Sequence, residues 1–450
     1  NHAATPCYES RRDLAIAYQQ IARLELRKNT PQGVAKAEEW CQKALPLYEE
    51  NHQANPCYES RRGLSIIYLR LGDIAREKQT PQGDAEAKAW YLRMVEVDEQ
   101  NLHISPSYES RRDLAIDYQR LGDLARRKNT PEGNAEAERY YQEAMDFYRQ
   151  NYESNPFYES RRDLSIIYLR LGDLARDQQT PQGDAEANGW YLKMLEVDQQ
   201  NLHVNPSYES RRDLAIDYQR LGDLARRKNT PEGNAEAERH YREAMGFYQQ
   251  NYASNPTYES RRDLGIIWQR LADLARRKNT PEGNAEAEQW YLKMLEVDLQ
   301  NHQSNPTYES RRDLAITYQR LGDLARDRQT PEGTAEAAQR YRDVLSIYEQ
   351  NHQSNPSYGS RRDLSIVCQR LGDLARRQQT PEGYDEAEMW YQKMLALDEQ
   401  NYRENPCTES RNDLAFTYGR LAMLARYRGT PESWAEAEEW TQKRLALLSE

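Results

Sequence analysis

A compact chain of 450 residues would divide into several domains, yet only 38% of these residues are hydrophobic, a low share for large globular cores. The formal charge is −11, with 62 basic residues interspersed among 73 acidic ones, which excludes the strongly basic footprint of a nucleic-acid binder. No run approaches eighteen apolar residues, so no membrane-spanning helix is expected.

The chain is nine versions of one fifty-residue unit. Thr30-Pro31 returns as Thr80-Pro81, Thr130-Pro131 and onward to Thr430-Pro431. The repeats are 1–50, 51–100, 101–150, 151–200, 201–250, 251–300, 301–350, 351–400 and 401–450, read as one array over 1–450.

Each unit reads as two helices. Asn155-Pro156 is a helix start, with Asn as N-cap and Pro at the first helical position, where its missing N–H costs nothing. From Tyr108 to Lys128 the apolar residues Leu114, Tyr118, Leu121 and Ala125 share one helical face. Asn129-Thr130-Pro131-Glu132-Gly133 then breaks the chain. Gly133 is expected to supply a positive φ, and Thr130 or Asn134 to cap the next helix. That second helix is predicted from about Ala135 to about Tyr152, with a stripe of Ala137, Tyr141, Ala144, Met145 and Tyr148. No stretch sustains a period of two, so no strand is expected. Neither helix buries its stripe alone; a stack of helical hairpins does.

The residues Tyr118-x-x-Leu121-Gly122-x-x-Ala125, then Ala137, Tyr141 and Ala144, resemble the tetratricopeptide repeat across all nine units. That resemblance implies an all-α solenoid, a right-handed superhelix of nine helical hairpins. The period of fifty departs from the family's thirty-four, with extra residues in the 129–133 turn and beyond Tyr148. The family's curvature is therefore not carried over.

The end repeats diverge. The first carries Gln20, Ile21, Arg23 and Glu25; the ninth carries Thr408, Asn412, Met423, Ser433 and Thr441. Asn1 to Thr5 looks like the tail of a second helix, and Leu445, Leu447 and Leu448 leave apolar surface on the last one. A period of one hundred lies over the first. Even repeats carry Trp90, Met94, Val97 and Asp98 and their counterparts; repeats three and five carry Ala144, Phe147 and Tyr148, then Ala244, Phe247 and Tyr248. Close packing requires such compensation across a shared interface. Duplication of a two-repeat block explains it equally well.

In a stack of this kind the first helices line the concave face. Arg112, Ile116, Gln119, Asp123 and Arg126 form a stripe displaced from the core stripe. Arg70, Arg120, Arg170, Arg220, Arg270, Arg320, Arg370 and Arg420 make one ladder. Asp73, Asp123, Asp173, Asp223, Asp273, Asp323 and Asp373 make a matching one. An arginine fork grips carboxylates in two places, so the ladder is a candidate site for an acidic peptide. The alternative is that Arg120, Asp123 and Arg126 neutralise one another along the helix. Carboxylate-binding grooves of the tetratricopeptide family use positions matching Gln119 and Arg120, so the resemblance points to this place with different chemistry. Leu69 and Leu169 replace Gln on the stripe and are candidate apolar contacts. Arg111 and Arg112 are expected to pair with Glu109 or with acids of a neighbouring repeat.

There is no His-Glu-x-x-His, Gly-rich phosphate loop or Gly-x-Ser-x-Gly, and ninefold carboxylates do not make a catalytic dyad. No enzyme activity, cofactor or metal is expected. The five Cys read as unpaired thiols, which favours a reducing, cytoplasmic setting. Three functional readings are open. The chain is a scaffold binding a peptide or protein segment along its concave face, or a subunit stacking end to end into a filament through Leu445, Leu447 and Leu448, or the sensor arm of a larger protein. Partners are protein or peptide, other copies included, with neither nucleic acid nor membrane.

Overall fold

The computed structural model describes residues 7–27, 31–78 and 80–449. Asn1 to Thr5, read above as a helix tail, lies outside the described residues. Eighteen α-helices and no strand occur among the described residues. The chain divides into two compact units, Asn1–Phe247 and Tyr248–Glu450.

In the first unit the hairpins are α1 (Tyr8–Leu26) with α2 (Pro31–Ala54), α3 (Tyr58–Glu77) with α4 (Pro81–Ile104), α5 (Tyr108–Arg126) with α6 (Pro131–Ser154), and α7 (Tyr158–Asp177) with α8 (Pro181–Val204). Next come α9 (Tyr208–Arg227) and α10 (Pro231–Ser254). The second unit holds α11 (Tyr258–Arg276) with α12 (Pro281–Ser304), α13 (Tyr308–Asp327) with α14 (Pro331–Ser354), α15 (Tyr358–Arg376) with α16 (Pro381–Glu404), and α17 (Thr408–Arg428) with α18 (Pro431–Ser449). Within each unit a second helix packs on the first helix of the next repeat, as α4 does on α5 and α14 on α15.

Local chemistry sets the helix ends, and it corrects the expected starts. Asn155 does not begin α7; its N–H closes α6 by bonding Asn151 O at 3.0 Å. Ser107 is the N-cap of α5. Its Oγ accepts from Ser110 N at 3.1 Å, while Ser110 Oγ accepts from Ser107 N at 2.8 Å. The cap-then-proline pattern belongs instead to the second helices: Thr130 Oγ1 accepts from Gly133 N at 3.1 Å and Pro131 opens α6. So α6 starts four residues before the predicted Ala135 and ends two after Tyr152. The left-handed residue of the turn is Asn129, with φ 50°, not Gly133. Gly133 lies in the first helical turn, where a Cβ would fall 2.8 Å from the Ala125 carbonyl oxygen. Its lack of a side chain lets the two helices of the hairpin close.

The predicted stripes meet. Leu114, Leu121 and Ala125 pack with Ala137, Tyr141, Ala144 and Tyr148 in one buried cluster. Each large apolar side chain buried this way is worth roughly 1.5–3 kcal/mol. The phenol of Tyr141 is the polar end of that core; it donates to Asp123 Oδ1 at 2.7 Å. Buried Asn151 clamps the open end of the hairpin, accepting from Arg111 Nε at 2.7 Å and donating to Tyr108 O at 3.0 Å. The second unit repeats the scheme, with Tyr341 donating to Asp323 at 2.6 Å and Asn351 accepting from Arg311 at 2.6 Å.

The hundred-residue period is an alternation of junction chemistry. Odd repeats end in Tyr48 and Tyr148, which share core clusters with Ile67 and Ile167 of the following repeat. Even repeats place Asp98 and Asp198 there, and the following repeat answers with Asp117 and Asp217 where repeats two, four and six have Ile. In the second unit Asp298 and Asp398 meet Thr317 and Thr417, each hydroxyl donating at 2.5 Å. Apolar junctions thus alternate with polar ones, a compensation that the side chains carry jointly.

Candidate interaction face

The stripe one turn off the core on the first helices of repeats two to eight carries an isoleucine, an arginine and an aspartate at spacings of four and three. The arginines reach back to the preceding repeat. In the first unit Arg170 Nε lies 3.3 Å from Asp123 Oδ1, and Arg220 Nη2 lies 3.4 Å from Asp173 Oδ2. In the second, Arg320 meets Asp273 at 3.8 Å, Arg370 meets Asp323 at 2.6 Å and Arg420 meets Asp373 at 3.3 Å. Pairing along a single helix is also present, as Arg176 with Asp173 at 3.1 Å and Arg326 with Asp323 at 3.2 Å. Asp223 takes the phenol of Tyr241 at 2.7 Å. Burial and the carboxylate of Asp123 push the Tyr141 phenol up, so it remains a donor.

Arg70 departs from this ladder. It is exposed, and the first repeat has Arg23 where later repeats place the aspartate. Arg120 and Arg270 are half-buried at the equivalent position. Leu69 and Leu169 are half-buried as well and lean on the core cluster, so they offer less free surface than their place on the stripe suggests.

The apolar residues of the stripe are the isoleucines. Ile16 and Ile66 keep 41% and 38% of their surface, and Ile116, Ile166 and Ile216 are half-buried. Ile266, Ile316, Ile366 and Phe416 take the position in the second unit. Sequence reasoning placed Ile116 on the stripe without singling it out. The available signal was an apolar residue at one position of every repeat, displaced from the core stripe.

The second arginine of the recurring Tyr-Glu-Ser-Arg-Arg-Asp run is an inter-repeat latch. Arg162 Nε reaches Asp213 Oδ2 at 2.9 Å, and Arg262 reaches Asp313 at 3.0 Å. Tyr58 and Tyr258 donate at 3.2 Å to Asp113 and Asp313, the acids that Arg62 and Arg262 reach. Those charges serve the stack.

Two histidines support helix ends: His52 Nδ1 lies 3.2 Å from Ser60 Oγ, and His352 Nδ1 lies 2.9 Å from Ser360 Oγ. Burial pushes the thiols of Cys41 and Cys368 up to about 11 and about 12, so they stay protonated and inert. Cys7, Cys57 and Cys407 precede first helices, and none of the five is in a disulfide. Among the described residues, no group of three or more His, Cys, Asp or Glu is placed to hold a metal ion. No helix among them is long and apolar enough to cross a membrane.

No protein-family model matches the sequence, and no curated protein matches it. Solved structures give weak likenesses. A circular tandem repeat protein with novel repeat topology aligns at 21% identity and TM-score 0.33, covering 86% of this chain and 97% of that one. BtubC from P. vanneervenii aligns at 18% identity and TM-score 0.41, covering 64% and 90%. A signal transduction ATPase with numerous domains and a tetratricopeptide repeat sensor, from Pyrococcus horikoshii, aligns at 12% identity and TM-score 0.42, covering 86% and 54%. The eighteen paired helices of the described residues make the chain a helical tandem-repeat protein.

Proposed function

We propose that the chain is a long-repeat variant of the tetratricopeptide architecture and works as a non-enzymatic scaffold. It holds a peptide or protein segment along the face of its first helices. The isoleucine column supports this reading: an apolar side chain recurs once per repeat, exposed at Ile16 and Ile66, beside side chains already committed to ion pairs. A row of that kind suits an extended segment that sets down apolar side chains at intervals. The paired arginines and aspartates frame the row and fix register. Arg70, outside any such pair, is where an acidic group of the segment finds an unengaged guanidinium.

The test is selection of displayed peptides on the immobilised chain. Peptides so selected should lose at least about tenfold in affinity against Ile66→Lys/Ile116→Lys/Ile166→Lys. They should keep it against Leu92→Lys/Leu192→Lys, which alters exposed leucines of the second helices. Equal loss in both variants, or none in the first, overturns the reading.

A second reading is end-to-end assembly. Leu445 and Leu448 are 62% and 47% exposed on α18, whereas Leu447 is buried in the core. Light scattering decides it: assembly present in the native chain should shorten in Leu445→Lys/Leu448→Lys, and a chain that stays monomeric at high concentration rules it out.

A further inference from the structure

The junctions between repeats two and three and between four and five each bury two carboxyl groups against each other. Asp98 of α4 is 0% exposed and Asp117 of α5 is 2% exposed. The two side chains are in hydrogen-bond contact. Around them stand few groups able to neutralise charge. From α3, Ser65 Oγ donates to Asp98 Oδ2; from α4, Asn101 Nδ2 donates to Asp98 Oδ1 at 3.0 Å. From α5, Asp113 adds another acid, answered by Arg62 of α3 at 3.5 Å and by the phenol of Tyr58. Glu99 of α4 adds negative field, and Tyr148 of α6 faces Asp117 as a neutral phenol. Asp117 Oδ2 is buried and receives no hydrogen bond from the described residues. Asp198 and Asp217 repeat the arrangement on α8 and α9, with Ser165 donating to Asp198, Asp213 nearby, and Asp217 Oδ2 again unbonded.

The later junctions supply an internal comparison. Thr317 and Thr417 stand where Asp117 and Asp217 stand, and each donates a hydroxyl proton to the aspartate opposite. The position therefore calls for a donor. A carboxyl fills it only while it carries a proton, and two carboxylates in contact inside a protein cannot both ionise.

We propose that Asp98–Asp117 and Asp198–Asp217 are proton-operated latches, each holding one shared proton at neutral pH, that tighten two junctions of the first unit in acid and loosen them in alkali. Burial pushes all four groups up; Asp113 and Asp213 add repulsion at Asp98 and Asp198, and Asp98 and Asp198 add it at Asp117 and Asp217, which rise most. The folded form therefore binds more protons than an opened one. The closed junction is favoured fully below the ordinary aspartate range near 4 and loses that advantage as pH rises through the raised values. The proton lost on opening goes to solvent, and nothing else is exchanged.

Carboxyl carbon shifts of the full chain, labelled at Asp, test the shared proton. One carboxyl of each pair should remain protonated at pH 7, and all four groups titrating near 4 overturns the proposal. Native-state hydrogen exchange tests the latch. After correction for intrinsic rates, opening around α4–α5 and α8–α9 should rise by about tenfold per pH unit while one proton is released. Asp117→Asn/Asp217→Asn supplies a donor that needs no proton, so opening should lose its dependence on pH above pH 7. If that variant fails to fold, Asp117→Thr/Asp217→Thr, the chain's own solution at the later junctions, should lose the dependence above pH 7. A pH dependence unchanged in either variant overturns the latch.

Discussion

Arg112 of α5 grips Asp163 of α7 with both arms of its guanidinium: Nε lies 2.5 Å from Oδ2 and Nη2 lies 3.0 Å from Oδ1. Tyr108, one turn earlier on α5, reaches the same carboxylate at 3.5 Å. The arginine is half exposed and the aspartate is buried, so the pair is neither a loose surface bridge nor a fully desolvated one. Arg112→Ala strands Asp163 without its main donor. Hydrogen bonds to charged groups are worth about 1.5–3 kcal/mol, and the arginine's exposure places this one toward about 1–2. Hydrogen exchange should quicken at the junction of repeats three and four, in α5 and α7, before it quickens at repeat one. Uniform acceleration along the first unit would contradict a nearest-neighbour latch.

Leu221 tests the core in the same way. It is buried on α9, at the position Leu121 holds in its cluster. Leu221→Ala should cost roughly 2–5 kcal/mol, from lost transfer energy and the cavity left behind. Urea melts of the whole chain should broaden rather than shift as one, because the unaffected repeats keep their own neighbours. A single shift of the entire transition would mean coupling far longer than one interface.

How much of this was legible in the sequence depends on whether an interaction stays inside one repeat. Helix pairing, the Leu121–Ala125 and Ala137–Tyr148 stripes and the Thr130 cap are local, and the period of fifty displays them with few changes from repeat to repeat. The left-handed residue of the turn was not legible. Glycine is the usual carrier of positive φ, but the missing Cβ of Gly133 is spent on close approach to Ala125, and Asn129 takes the strained angle. The arginine ladder was legible as a pattern. That Arg170 reaches back to Asp123 rather than forward to Asp173 depends on stacking geometry, which no single repeat encodes. Asp117 was hidden for the same reason: on one helix it is an ordinary acid, and only the neighbour's Asp98 makes it unusual.

Gly122 offers a sharper test of close packing. A Cβ there would sit 2.5 Å from Cε1 of Tyr141. Repeat one carries Ala22 at this position with Cys41 in place of the tyrosine, while repeat six carries Ala272 opposite Tyr291. In the second case methyl and ring are buried together, and Tyr291 still donates to Asp273 at 2.6 Å. Gly122→Ala should therefore cost about 1 kcal/mol, as overpacking of roughly 1–3 is partly offset by better helix propensity. In a double-mutant cycle with Tyr141→Cys the alanine penalty should vanish. A penalty that persists once the ring has been removed points to a backbone cause.

Thr317 and Asp298 give the second unit its own pH dependence. Thr317 Oγ1 donates to Asp298 Oδ2 at 2.5 Å, and Gly265 stands where Ser65 and Ser165 stand in the first unit. With one donor fewer, burial pushes Asp298 up to about 7. Its unfolded value is near 4, so the folded form holds a proton that the unfolded form releases. The stabilisation is complete below pH about 4 and is lost as pH rises to 7, with a slope of up to about 1.4 kcal/mol per unit. Other carboxylates slope the opposite way: Asp327, held down by Arg326 and Arg276 despite its burial, favours the fold as pH rises. The difference between native chain and Asp298→Asn isolates the one group. Urea unfolding of the second unit at pH 5 and pH 7 should show the variant gaining on the native chain at the higher pH. Thr317→Val removes the hydroxyl and should cost about 1–3 kcal/mol at pH 7, less at pH 5, where protonated Asp298 is the cheaper group to leave unbonded. An equal cost at both values would show that Asp298 is already ionised at pH 5.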